Sequence, residues 1–113
     1  MSNPLSVVII TKNEENFIED AVKSAQFADE VIVLDSYSAD RTCEIAIKHG
    51  AKVRQQEWQG FGEQKNTAIS LASNDWIFVL DSDERITEDL KNEITRILIK
   101  PVFDAYKVAR LNH

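Results

Sequence analysis

Glycine, proline and cysteine are all scarce, at three, two and one among 113 residues. With so few turn formers there is no Pro- or Gly-rich linker, and the chain shows no repeat and no low-complexity tract. A single cysteine, Cys43, excludes an internal disulfide framework and a cysteine-based zinc site. Positive charge is also short: 13 bases against 19 acids leave a net charge of −6. That argues against a nucleic-acid partner, which needs a cationic footprint. It leaves phosphate ligands open, because a divalent metal can bridge acidic side chains to phosphates. No apolar run approaches the ~18 residues of a membrane span. Met1-Ser2-Asn3-Pro4 offers no basic region ahead of the first apolar run, so no signal peptide is expected and the cytoplasm is the default location. What remains is the balance of a folded globular chain, 43% hydrophobic and 28% charged, with one domain at most.

Its apolar runs are short, β-branched and evenly spaced. Leu5 to Ile10, Val31 to Leu34, the weaker Ala51 to Val53, and Trp76 to Leu80 read as strands buried on both faces. Helical spacing fills the gaps. From Glu14 to Phe27, Phe17, Ile18, Ala21, Val22 and Ala25 recur at three and four, with Asn13 as the expected N-cap. A second helix is predicted from Asp40 to a C′ glycine at Gly50, with Ile45, Ala46 and Ile47 inward. A third runs from Gly62 to Ala72 with Ala68, Ile69 and Ala72 inward. The fourth is capped by Thr87, buries Leu90, Ile94, Ile97 and Leu98, and ends at Pro101. Val102 to Leu111 is the candidate fifth strand. The pattern is an α/β fold with a mostly parallel sheet and helices on both faces.

Ligands of such folds bind beyond the carboxyl ends of the strands. Strand one runs there into Thr11-Lys12-Asn13-Glu14-Glu15, strand two into Asp35-Ser36, and strand four into Asp81-Ser82-Asp83. Two carboxylates two residues apart after a buried strand repel one another unless a cation or donors sit between them. A hard divalent cation, Mg²⁺ or Mn²⁺, suits that pair and completes its shell with substrate phosphates. Ser82 is small enough to let a ligand approach. Asp35 can accept from a base N–H or ribose hydroxyls, and Lys12 and Lys65 are the candidate cations. Gly60 and Gly62 flank Phe61 and permit close backbone approach. Cys43 reads as a half-buried structural thiol, and Trp58 and Trp76 most simply as packing residues, with ligand contact the alternative for Trp58 beside the glycine loop.

These segments resemble family 2 glycosyltransferases. The resemblance rests on Leu5 to Ile10 with Thr11-Lys12-Asn13-Glu14-Glu15 and on Val33-Leu34-Asp35-Ser36-Tyr37-Ser38-Ala39-Asp40-Arg41-Thr42. It rests also on Gln64-Lys65-Asn66 with Ala68, and on the DxD motif in Val79-Leu80-Asp81-Ser82-Asp83-Glu84. Trp58-Gln59-Gly60-Phe61-Gly62-Glu63-Gln64-Lys65-Asn66 and Asp75-Trp76-Ile77 resemble bacterial lipopolysaccharide-core and polysaccharide enzymes. The pattern departs at Ser36, where the family has a second acid, and at Lys12, where an aromatic is common.

The resemblance implies a Rossmann-like GT-A nucleotide-binding half and inverting transfer from a nucleotide-diphospho-sugar, a UDP-sugar favoured, to a glycan or lipid-linked acceptor. It implies that Thr11, Lys12, Asn13, Glu14, Asp35 and Ser36 hold the nucleoside, with Lys65 near the base or diphosphate. Asp81 and Ser82 would lie near ribose and metal, and Asp83 would be the principal ligand of Mg²⁺ or Mn²⁺. Family members run to more than twice this length, so the general base is expected beyond residue 113 and this chain alone is expected to be inactive. The expected place of work is the cytoplasm, at the inner face of the membrane.

Three other readings compete with this one. A receiver domain needs an Asp after strand three, where Arg54-Gln55-Gln56-Glu57 has none, and a dinucleotide domain needs a Gly-rich first turn, which Thr11 to Glu15 lacks. A binding-only module, which holds nucleotide or dimerises through an open sheet edge, is the remaining alternative. A cut sheet would expose apolar surface along Leu5 to Ile10 and Val102 to Leu111 and favour homo-oligomers.

Overall fold

A strand that is apolar at nearly every position has to be covered on both faces. Leu5–Thr11 (β1) is covered in this way, with all seven residues buried. The computed structural model describes residues 3–99 and 109–110. In it β1 is the middle strand of a five-stranded sheet, flanked by β2 (Glu30–Asp35) and β4 (Trp76–Asp81). Outside these lie β3 (Lys52–Gln55) and β5 (Ala109–Arg110), giving the order β3-β2-β1-β4-β5 with every pair parallel.

The alternation of side chains along β1 feeds two separate cores. Leu5, Val7 and Ile9 pack with Ile18, Ala21 and Val22 of α1 (Ile18–Ser24), Ala46 of α2 (Thr42–Lys48), and Ile94 and Leu98 of α4 (Glu88–Ile99). Val8 and Ile10 face the opposite layer, with Ala68 of α3 (Phe61–Leu71). The expected helices on both faces of a parallel sheet are present. None of the helices among the described residues is long and apolar enough to cross a membrane.

Several local expectations hold and several need correction. Gly50 sits at φ 92, its N–H donating to the Ile47 carbonyl at 3.0 Å while the Ala51 N–H donates to the Ala46 carbonyl at 3.1 Å. That is a Schellman ending, which needs the left-handed conformation glycine tolerates. Thr87 caps α4 by accepting from the Leu90 N–H at 3.2 Å. Asn13, by contrast, is not the N-cap of α1. That helix starts at Ile18, and Asn13 stands upstream at φ 52 with its side chain engaged elsewhere. Phe17, expected inward, is 52% exposed, and Ile47 is 60% exposed.

The expectation of an exposed apolar face on Leu5 to Ile10 is also corrected, because the central strand has neighbours on both sides and helices above and below. Pro101 lies outside the described residues, as does Val102 to Leu111 apart from the short β5. On the other side the sheet edge is β3, only four residues long, with Lys52 and Arg54 exposed. Short, positively charged edges resist pairing with other strands.

At the amino end of the sheet a buried acid is tied down on every side. The Ser6 hydroxyl donates to Glu30 Oε1 at 2.7 Å, the Ser73 N–H to the same oxygen at 2.8 Å, and the Ser73 hydroxyl to Oε2 at 2.7 Å. Lys52 Nζ reaches Oε2 at 3.0 Å. Burial alone would raise the pKa of Glu30, but these bonds together lower it to about 2.

Candidate functional site

Parallel registers bring the carboxyl ends of three strands level. Thr11 pairs with Asp35 across β1 and β2, and Ile10 pairs with Asp81 across β1 and β4. In the order β3-β2-β1-β4 the chain reverses direction across the sheet beside β1, the place where open α/β sheets leave a crevice.

The turns after β1 and β2 are laced to each other. The Asn13 N–H donates to Ser38 Oγ at 2.7 Å, and the Ala39 N–H donates back to Asn13 Oδ1 at 2.7 Å. The Glu14 N–H donates to Thr42 Oγ1 at 3.0 Å and the Glu15 N–H to Asp40 Oδ2 at 3.2 Å. Asp40 also takes the Thr42 N–H at 3.0 Å and the Thr42 hydroxyl. Its partial burial pushes its pKa up, but these bonds outweigh that and hold it below the usual carboxylate range. Asn13 and Tyr37 both adopt left-handed backbone, φ 52 and φ 54, within this double turn.

Asp35 is completely buried. It accepts from the Ser38 N–H at 2.8 Å and from the Ser38 hydroxyl, so a ligand would have to displace Ser38 to use it. Cys43 lies beside it, half-buried, and burial followed by the neighbouring Asp35 raises the thiol to about 11. A thiol of that kind stays protonated and unreactive at neutral pH. Ser36 is 3% exposed. Its N–H donates to the Thr11 carbonyl at 3.0 Å, and its hydroxyl accepts from Gln64 Nε2 at 3.0 Å. Gln64, wholly buried in the first turn of α3, accepts in turn from Gln56 Nε2 at 2.9 Å. Serine at this position is thus the acceptor of a neutral amide.

Between β1 and β4 lies an open groove of about 280 Å³. The buried residues Ile10, Thr11 and Ser82 line it together with Lys12, Glu14, Asp81 and Asp83 and the aromatic pair Trp58 and Phe61. Two of these groups have unmet needs or crowding. The Thr11 hydroxyl is the one buried side-chain polar atom among the described residues with no hydrogen-bond partner, on a residue 3% exposed. Burial raises the pKa of Asp81 and repulsion from Glu84 adds to that; attraction to Lys65 offsets part of the rise, and repulsion from Asp83 contributes least. Asp83 is exposed at the tip of the turn that the Glu84 N–H closes onto the Asp81 carbonyl at 2.9 Å.

Among the described residues there is no cluster of three or more His, Cys, Asp or Glu able to cage a metal. A cation at Asp81 and Asp83 would have to draw its remaining oxygens from a ligand or water, as Mg²⁺ commonly does. The donor set fits that chemistry: two oxygen ligands, one of them destabilised as a free anion. Lys12 is exposed at the rim, and Lys65 sits over the Phe61 ring at 4.9 Å from its centroid.

The family model for glycosyl transferase family 2 matches residues 6–113. The chain belongs to glycosyl transferase family 2. An uncharacterised glycosyltransferase of Rickettsia bellii is 43% identical over 107 residues, covering 94% of this chain and 36% of the relative. The lipopolysaccharide core biosynthesis glycosyltransferase LpsC of Rhizobium meliloti is 32% identical over 100 residues, covering 84% of this chain and 37% of LpsC. The chain therefore spans little more than a third of these relatives. Among solved structures, glucosyl-3-phosphoglycerate synthase of Mycobacterium tuberculosis superposes with a TM-score of 0.71 and 31% identity, over 85% of this chain and 41% of that one. A further structure of that enzyme holds Mn²⁺, UDP and glucosyl-3-phosphoglycerate, and matches with a TM-score of 0.65 and 31% identity over 74% of this chain and 36% of that one. The family 2 chain has the Rossmann-like GT-A arrangement that its motifs imply.

Sequence reasoning gathered Thr11, Lys12, Glu14, Asp81, Ser82 and Asp83 into one groove, with Lys65 beside it. It placed Asp35, Ser36 and Asn13 at the same edge, where the structure finds them engaged in holding turns together. It did not single out Phe61, and it read Trp58 most simply as a packing residue with ligand contact as the alternative; Trp58 is 48% exposed and lines the groove. Phe61 stands four residues before Lys65, a spacing that shares one face of α3 and could have drawn attention to it.

Proposed function

We propose that residues 1–113 form the donor-binding half of a glycosyltransferase, holding a nucleotide-diphospho-sugar with Mg²⁺ or Mn²⁺ beyond β1 and β4. A UDP-sugar is the favoured donor. The carrying observation is that Thr11, whose buried hydroxyl has no partner, and the crowded Asp81 line one groove. A buried hydroxyl without a partner costs about 1–3 kcal/mol, which a ligand bond would recover. The UDP and Mn²⁺ held by the similar mycobacterial synthase support this choice of ligand.

In this reading Asp83 is the principal metal ligand and Asp81 the second. The bound cation would neutralise charge on the leaving diphosphate. Lys12 and Lys65 supply the remaining positive charge near the phosphates. Thr11, Asn13 and Glu14 bound the nucleoside, Ser82 leaves room for the approach, and Asp35 and Ser36 keep the two turns in place. The acceptor is a lipopolysaccharide or polysaccharide hydroxyl at the inner face of the membrane, a choice supported by the similarity to LpsC. Sugar leaves with inversion, and the base that activates the acceptor stands outside residues 1–113. By themselves these residues bind donor and give no measurable transfer.

Calorimetric titration of UDP into the chain tests this directly. Binding should be present with Mg²⁺ and at least tenfold weaker with chelator, a difference of about 1.4 kcal/mol. Equal affinity in both conditions, or no binding in either, contradicts the reading. Efficient transfer to a defined acceptor by this chain would contradict the placement of the base.

A further inference from the structure

We infer that Trp58 and Phe61 form the stacking face for the donor's nucleobase, an inference that rests on the proposed donor site. Both rings are about half exposed, 48% and 49%. They meet edge to face with centroids 5.7 Å apart, and Lys65 Nζ lies over the Phe61 ring at 4.9 Å from its centroid. Large exposed aromatic rings on a groove wall leave apolar surface in water that a flat partner would cover. Between them stands Gly60, the N-cap residue of α3, whose φ of 101 lies where side chains are strained.

The occupant follows from what else lines the groove and from what adjoins it. Thr11 lines the same groove as the rings, and its buried, partnerless hydroxyl can both donate and accept, which suits the polar edge of a base. Asp83 lines this groove and also a second one, formed with Phe17, Asp20 and Arg85. A diphosphate held at Asp83 therefore sends its nucleoside into one groove and its glycosyl ring into the other. The groove walled by two aromatic rings suits the flat base, and the one rimmed by Asp20 and Arg85 suits a ring rich in hydroxyls. The turn after β1 carries no aromatic of its own, with Lys12 at the common position, so Trp58 and Phe61 supply the ring surface from a different loop.

The test compares two probes on one protein, UDP and inorganic diphosphate, each with Mg²⁺ and the full chain. Trp58→Ala and Phe61→Ala should each weaken UDP about tenfold, the scale of one base–aromatic stack, and leave diphosphate affinity within twofold. Trp58→Phe should retain most of the UDP affinity. UDP should also quench tryptophan fluorescence in wild type and in Trp76→Phe, but not in Trp58→Phe. Unchanged UDP affinity in Trp58→Ala, or equal losses for UDP and diphosphate, would overturn the stacking assignment while leaving the donor site standing. A wild type that binds neither probe would overturn the donor site and the stacking face together.

Discussion

The two ends of the sheet treat buried polar groups in opposite ways. At the amino end Glu30 is held by Ser6, Ser73 and Lys52, and its pKa falls to about 2. At the carboxyl end Asp81 is pushed up by burial and by Glu84 and Asp83, and the Thr11 hydroxyl has no partner. Both ends belong to the same three strands, so packing alone does not explain the contrast. A carboxylate whose bonds are all met from within stabilises the fold. Groups left short of partners raise its energy and are in position to gain from a ligand.

The largest expected effect breaks the satisfied end. Glu30→Gln should cost about 3 kcal/mol of stability, because it removes the charge and sets amide hydrogens against donors. The pKa of 4.5 brought down to about 2 corresponds to a similar figure, about 3 kcal/mol. Its sign follows from the direction: a lowered pKa stabilises the fold above the unfolded value, and the gain is lost as pH falls from about 4.5 toward 2. Urea melts of wild type and Glu30→Gln between pH 7 and pH 2 should converge at the acid end. UDP affinity at neutral pH should be the same in both, and a large change there would blur the distinction between the two ends.

A smaller effect sharpens the other end. Thr11→Val keeps the shape and removes the partnerless hydroxyl, so stability should rise by about 1 kcal/mol. The same change should weaken UDP several-fold. Thermal melts and titration on one preparation check both signs, and a variant less stable than wild type would show that the hydroxyl has a partner after all.

The fold was legible because its strands are buried on both faces and its helices are amphipathic, two signals that need only local windows. The convergence of Thr11, Asp81 and Asp83 was legible for a topological reason, since parallel strands place all their carboxyl ends on one edge. The bounds of α1 were not. Asn13 looks like a cap in its own segment, but its side chain accepts from Ala39, 26 residues away, and the chain from Asn13 to Phe17 goes into turns. Asp35 looked like a free acceptor for the same reason, since its covering by Ser38 depends on the shape of the turn. Glu30 gave no signal at all: its partners Ser6 and Ser73 lie 24 and 43 residues away. The aromatic wall was hidden by a default, because tryptophan is more often packed than exposed.

The central claim is that the unsatisfied end binds a diphosphate through a cation on Asp83. Asp83→Asn keeps the side chain's shape and takes away its charge, at a site exposed enough that the fold should not notice. Titrating UDP with and without Mn²⁺ into wild type and Asp83→Asn measures the claim directly. Wild type should bind at least tenfold more tightly with Mn²⁺, and the variant should lose that dependence while melting within about 0.5 kcal/mol of wild type. A variant that keeps the full metal dependence would contradict the account.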